Sequence, residues 1–151
     1  MKYSKTRHYK YKLEETEMRQ TEITGFSFNN RYMAMLENGQ IFSKAGYAWD
    51  GSSIPYKKFL RILTMGIYDP DKYCKTASLI HDTFYQAIRE GLLSKHEKIK
   101  ADILYRQMCI EGGMSEGWAT GRYKALRKFG DRGIVPEKNP RNRVYDTEDG
   151  G

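Results

Sequence analysis

The sequence predicts an α+β fold: a small N-terminal antiparallel sheet, then an antiparallel helical hairpin and a third helix. Three observations carry this. Residues 7–48 alternate apolar and polar side chains around an Asn-Gly turn. Residues 71–110 hold two stretches with apolar side chains at three- and four-residue steps, joined by about four residues, which favours antiparallel neighbours. Ser115 then opens a third helical stretch that Gly130 stops.

In the sheet region Tyr9, Tyr11 and Leu13 alternate with basic or polar residues. Phe26-Ser27-Phe28 and Tyr32–Leu36 continue the pattern, and Ile41-Phe42-Ser43 forms the return strand. Asn38-Gly39 reads as a two-residue hairpin turn, because both positions tolerate positive φ. Residues 45–55, A-G-Y-A-W-D-G-S-S-I-P, are a loop by their glycines, serines and Pro55, with Tyr47 and Trp49 expected to pack. Phe59, Leu60, Leu63 and Met65 predict a short amphipathic helix over residues 56–65.

The first long helix is expected from Asp71 to Arg89, with Ala77, Ile80, His81, Phe84 and Ile88 on its apolar face. Ser94-Lys95-His96-Glu97 is a capping-box sequence and opens a second helix, which runs to Ile110 before Gly112-Gly113. Ser115 caps the third, whose expected core contacts are Trp118, Ala119, Leu126 and Phe129. A single domain over residues 1–130 is followed by a polar tail, 131–151, that has few apolar residues of its own.

The length of 151 residues suits one domain with a real core. The longest apolar run is far short of the roughly 18 residues of a membrane span, and the basic start M-K-Y-S-K-T-R has no apolar segment behind it to make a secretory signal. The net charge of +7 is concentrated in the flanks: residues 1–12 carry five Lys/Arg and no acid, and residues 121–143 carry eight against two acids. Such flanks suit a protein partner or non-specific contact with nucleic acid; they also suit a merely solvated surface. No helix-turn-helix or zinc-ligand pattern is present to read bases.

The candidate site follows from the helical hairpin. His81 lies about nine residues before the turn and Asp102 about eight after its cap, so at about 1.5 Å per residue the two sit at similar heights. Cys74 is seven residues before His81 and Cys109 seven after Asp102, so a register that pairs one couple pairs the other. The cysteines read as buried thiols in a reducing compartment, or as a disulfide outside one. Histidine is a suitable general base at neutral pH, and a carboxylate behind it fixes its tautomer and stabilises the imidazolium. Tyr85, four residues on, is placed to hydrogen-bond Asp102. Asp82, about 100° round the helix, is free to bind a hard cation such as Ca2+, with Asp50, Ser52 and Ser53 of the loop as further oxygen donors. His8 and His96 are expected at the surface. The same His81–Asp102 couple is equally readable as a satisfied buried pair.

Two resemblances enter at these residues. G-Y-A-W-D-G-S-S-I-P, A-S-L-I-H-D-T-F-Y, A-D-I-L-Y-R-Q-M and W-A-T-G-R-Y-K-A-L-R-K-F-G, within residues 26–130, resemble an uncharacterised domain family. It is the domain of unknown function numbered 1353, found mainly in bacteriophages and prophages. That implies a phage origin, residence in the host cytoplasm during infection or in the virion, and other virion or host proteins as partners, with oligomerisation open. H-D-T-F-Y with a later Asp is also similar to the active-site helices of secreted phospholipase A2. This similarity implies His81 as the base that activates water, Asp82 as a calcium ligand, and Tyr85 and Asp102 as the supporting pair. The glycine- and cysteine-rich calcium loop and the disulfide set of that family are absent.

Two functions follow: a metal-assisted hydrolase acting on an ester or phosphodiester, or a non-catalytic virion or tail component in which the cluster holds the helices together.

Overall fold

Among the described residues seven short strands form two antiparallel sheets: β1 Tyr3–Ser4, β2 Tyr11–Leu13, β3 Glu17–Gln20, β4 Phe28–Asn29, β5 Met33–Met35, β6 Gln40–Ser43 and β7 Ala48–Trp49. One sheet has the order β1-β2-β7 and the other β3-β6-β5-β4. The computed structural model describes residues 1–6, 9, 11–49 and 70–134. The helix expected at 56–65, the donors Asp50, Ser52 and Ser53, His8, and the tail from 135 onward lie outside the described residues.

The expected single sheet is thus two. Period-2 alternation is kept in each, with the core taking Tyr11 and Leu13 of β2, Met33 and Met35 of β5, and Ile41 and Ser43 of β6. The β5–β6 turn has three residues rather than two: Gly39 N–H donates to Leu36 O at 3.0 Å, and Leu36 N–H to Gln40 O at 2.9 Å. Gly39 takes the positive φ, 96°, that closes such a loop. A Cβ there would also run into the Thr21 carbonyl, so the position excludes larger residues on space as well as conformation.

Three α-helices follow among the described residues: α1 Pro70–Arg89, α2 Lys98–Glu111 and α3 Glu116–Phe129. From Ala77 to Arg89 every residue of α1 is buried except the half-buried Asp82. The expectation of one apolar face is therefore too narrow. α1 is the central element, with the first sheet on one side and the second sheet and α2 on the other. Leu79 joins Tyr11, Leu13, Tyr32, Tyr47 and Trp49 in one cluster, while Ala77, Ile80, Phe84 and Ile88 join the second sheet's methionines and α2 in the main core. Its polar residues find local partners. Trp49 Nε1 donates to Ser78 Oγ at 3.2 Å, and the Thr83 and Ser43 hydroxyls meet at 2.7 Å, tying the helix to both sheets. Trp49 and Tyr47 are packed, as expected, at 0% and 2% exposure.

α1 kinks at Cys74 (φ −114°, ψ 15°). The kink lies where the end of α2 arrives: Gly112 sits so close to the Tyr73 carbonyl that a Cβ would collide with it. Gly113 (φ 108°) then reverses the chain towards α3. The capping box is not made as expected. Ser94 caps a short 3-10 turn at Lys95–Glu97, accepting from His96 N–H at 3.2 Å, and α2 starts only at Lys98. Glu97 instead approaches Lys100 at 3.5 Å. Ser115 does cap α3, accepting from Trp118 N–H at 3.4 Å.

On α3, Ala119 is buried, but Trp118 and Phe129 are 49% and 55% exposed. The inward position belongs to Arg122, buried with its guanidinium on the Tyr105 hydroxyl. A 3-10 turn, Gly130–Ile134, continues the packed chain, with Ile134 against the main core.

Candidate functional site

The α1–α2 register brings His81 and Asp102 together. His81 Nε2 lies 2.7 Å from Asp102 Oδ1, with Asp102 fully buried and His81 6% exposed. The same register sets Cys74 against Cys109, joined as a disulfide with Cα atoms 4.8 Å apart. Of the two states the sequence leaves open, buried thiols or a disulfide, the structure has the disulfide: the two Cα atoms fall within bridging distance and both residues are sealed in the core.

Asp102 is the hub. Tyr85 Oη donates to Oδ1 at 2.6 Å, while Lys98 Nζ and Arg127 Nη1 each donate to Oδ2 at 3.0 Å. With His81 these make four donors, matching the roughly four lone-pair sites of a carboxylate. Asp102 therefore has no capacity left to accept a proton from substrate or water, and acts only by orienting its neighbours. Burial pushes its pKa up, but the hydrogen bond and charge of His81, with the Tyr85 and Lys98 hydrogen bonds, outweigh this and lower it to about 2. Burial, then the charge and hydrogen bond of Asp102, push the Tyr85 phenol far above its ordinary value, so it stays protonated and donating.

Lys98 and Arg127 are the residues that sequence reasoning missed. Lys98 spends its remaining donors on Leu126 O at 3.0 Å and, at 3.5 Å, on Asp131. The Asp102 carboxylate thus joins α1, α2 and α3, and the Lys98 ammonium brings in the final 3-10 turn. Gly130 supplies the room: a Cβ there would stand 2.6 Å from Tyr85 Oη and 3.2 Å from Lys98 Cε.

The His81 ring is held by faces as well as by its bond. Tyr85 lies 4.0 Å away centroid to centroid and Tyr105 5.0 Å away, both tilted. An ionised carboxylate only accepts, so Nε2 carries the proton and the lone pair of neutral His81 is on Nδ1. Nδ1 has no hydrogen-bond partner among the described residues, and it is not one of their sealed, unsatisfied side-chain atoms. The arrangement can hold an imidazole in one tautomer, with its basic nitrogen at the surface end of the ring.

Asp82 is half-buried and does not join this cluster. Among the described residues no group of three or more His, Cys, Asp or Glu side chains comes together to hold a metal ion, and Asp50 lies outside them. The loop oxygens expected to complete a calcium site with Asp82, those of Asp50, Ser52 and Ser53, lie outside the described residues. His96 is exposed, as expected.

No family model matches the chain, and neither does any curated protein or solved structure. The two resemblances rest on their motif residues alone. Among the described residues no helix is long and apolar enough to cross a membrane.

Proposed function

We propose that the chain is a phage-encoded hydrolase-like domain in which His81 is a general base that activates water against an ester or phosphodiester. The observation that supports this is the division of labour around one imidazole: Nε2 on Asp102 at 2.7 Å, Nδ1 without a hydrogen-bond partner among the described residues. In this scheme Nδ1 takes a proton from a water as that water attacks the electrophilic carbon or phosphorus. The imidazolium formed is stabilised by Asp102, whose charge is kept by its low pKa, and by the faces of Tyr85 and Tyr105. Tyr85 keeps Asp102 from rotating away. The pair then returns the proton to the leaving group. The phage origin rests on the sequence resemblance. The test is turnover of a panel of chromogenic esters and phosphodiesters by the wild type and by His81→Ala.

A second proposal, a virion or tail component with a purely structural cluster, is favoured by a different observation. Lys98 and Arg127 bind the same carboxylate as His81, so Asp102 ties three helices together whatever His81 does. Its test is whether His81→Ala changes stability without removing any activity.

The disulfide bears on location under either proposal. A buried Cys74–Cys109 bond fits an oxidising environment better than the reducing host cytoplasm, which favours work in or from the assembled virion. A rise in melting temperature on adding calcium, lost in Asp82→Asn, would bring a metal back into the scheme.

A further inference from the structure

We infer that β3 is a self-association edge, pairing antiparallel with β3 of a second copy about a two-fold axis at Met18. The inference does not depend on the chemistry of His81.

β3 ends its sheet. Thr21 N–H donates to Gly39 O at 3.0 Å in the β3–β6 register, so by two-residue alternation Arg19 and Glu17 also turn their N–H and C=O groups towards β6. Met18 and Gln20 turn theirs to the open side, where no backbone group of the described residues meets them. Such an edge is a template for another strand. Beside it runs a groove of about 390 Å³, between residues 19–23 and Lys100, Ile103 and Leu104 of α2. Ile103 in its lining is 49% exposed and Ile99 on the same helix 42%, while Met18, whose side chain alternates to the other sheet face from Arg19, is 48% exposed. Ile99 and Ile103 stand one turn apart on α2.

Charge selects a second copy as the occupant. Centred on Met18, antiparallel pairing sets Met18 against Met18 of the partner subunit, and Glu17 opposite Arg19 of the partner subunit. The two-fold axis repeats the latter, giving two opposite-charge cross-strand pairs, each favourable on one sheet face. A one-residue slip loses both. Glu17 already has the Met1 ammonium at 3.3 Å and Arg19 has Glu111 at 2.8 Å, both within the chain. The second copy adds an opposite charge beside each. Four strand residues cover much less than the roughly 1,200 Å² of a stable interface, so Ile99 and Ile103 must be covered too, and continuing the sheet brings the two α2 helices side by side to do it.

The test is sedimentation velocity of the full chain from about 1 to about 100 µM, with far-UV circular dichroism as the check on folding. The wild type is expected to dimerise. Met18→Pro removes an outward N–H and no bond within the chain, and Ile103→Lys charges the groove; each should weaken association at least about tenfold. If either variant fails to fold, the other and Ile99→Lys decide. A wild type that stays monomeric to about 100 µM, or a dimer that folded variants leave intact, overturns the inference.

Discussion

His81 and Asp102, twenty-one residues apart on facing helices, share a 2.7 Å hydrogen bond in which the carboxylate can only accept. The proton of neutral His81 is therefore on Nε2. Nitrogen-15 NMR of the histidine rings should show His81 as the Nε2–H tautomer, with an unprotonated Nδ1. An Nδ1–H tautomer would mean that the ring is turned over, with Nδ1 on Asp102, and would contradict the assignment of Nδ1 as the base.

Acid should act on the same carboxylate. Asp102 has a folded-state pKa of about 2, against an ordinary 3.8. A lowered carboxylate pKa adds stability that is complete above the unfolded value and disappears as pH falls through the folded one. The loss should fall between about pH 4 and pH 2 and amount to roughly 2 kcal/mol. Asp102→Asn should remove this step from the stability–pH curve. It should also destabilise the protein at pH 7 by about 3 kcal/mol, since buried Lys98 is left charged with only the exposed Asp131 as a counter-ion. Chemical denaturation across pH checks both.

Gly130 tests the space around the hub. Its φ of −72° suits any residue, so glycine is needed there only because Tyr85 Oη and Lys98 crowd the position. Gly130→Ala should cost more than Tyr85→Phe. The first displaces two of the four donors to Asp102, about 3 kcal/mol; the second loses a single hydrogen bond to a charged group, about 1.5 kcal/mol. Equal costs measured by urea unfolding would contradict the crowding.

The disulfide closes a loop across a sequence separation of 35 residues. Loop-closure entropy puts its contribution at roughly 4 kcal/mol. Intact mass before and after alkylation should show no free thiol in oxidised protein, and a reductant should lower the unfolding midpoint accordingly. Two alkylated cysteines in protein purified without reductant would return Cys74 and Cys109 to thiols.

The hairpin was legible because its signals are local: helical periodicity, a short connection, and matched spacings of His81 with Cys74 and of Asp102 with Cys109. Lys98 was legible in principle, as the residue four before Asp102, but it sat inside a segment whose capping signal pointed elsewhere. Arg127 was not, because nothing local says which face of α3 meets α2. Trp118 and Phe129 misled for the same reason: apolar side chains marked a face that stays open, while Arg122 turned inward to the Tyr105 hydroxyl. The split into two sheets was hidden as well, since alternation assigns faces but not partners.

The central claim is that His81 is a base and not only a link. The measurement that tests it is hydrolysis of the ester and phosphodiester panel by wild type and His81→Ala, alongside their unfolding free energies. The wild type should turn over, the variant should lose at least about 100-fold, and stability should change by only about 1–3 kcal/mol, because Tyr85, Lys98 and Arg127 still hold Asp102. No turnover by a folded wild type, or equal turnover by the folded variant, would contradict it.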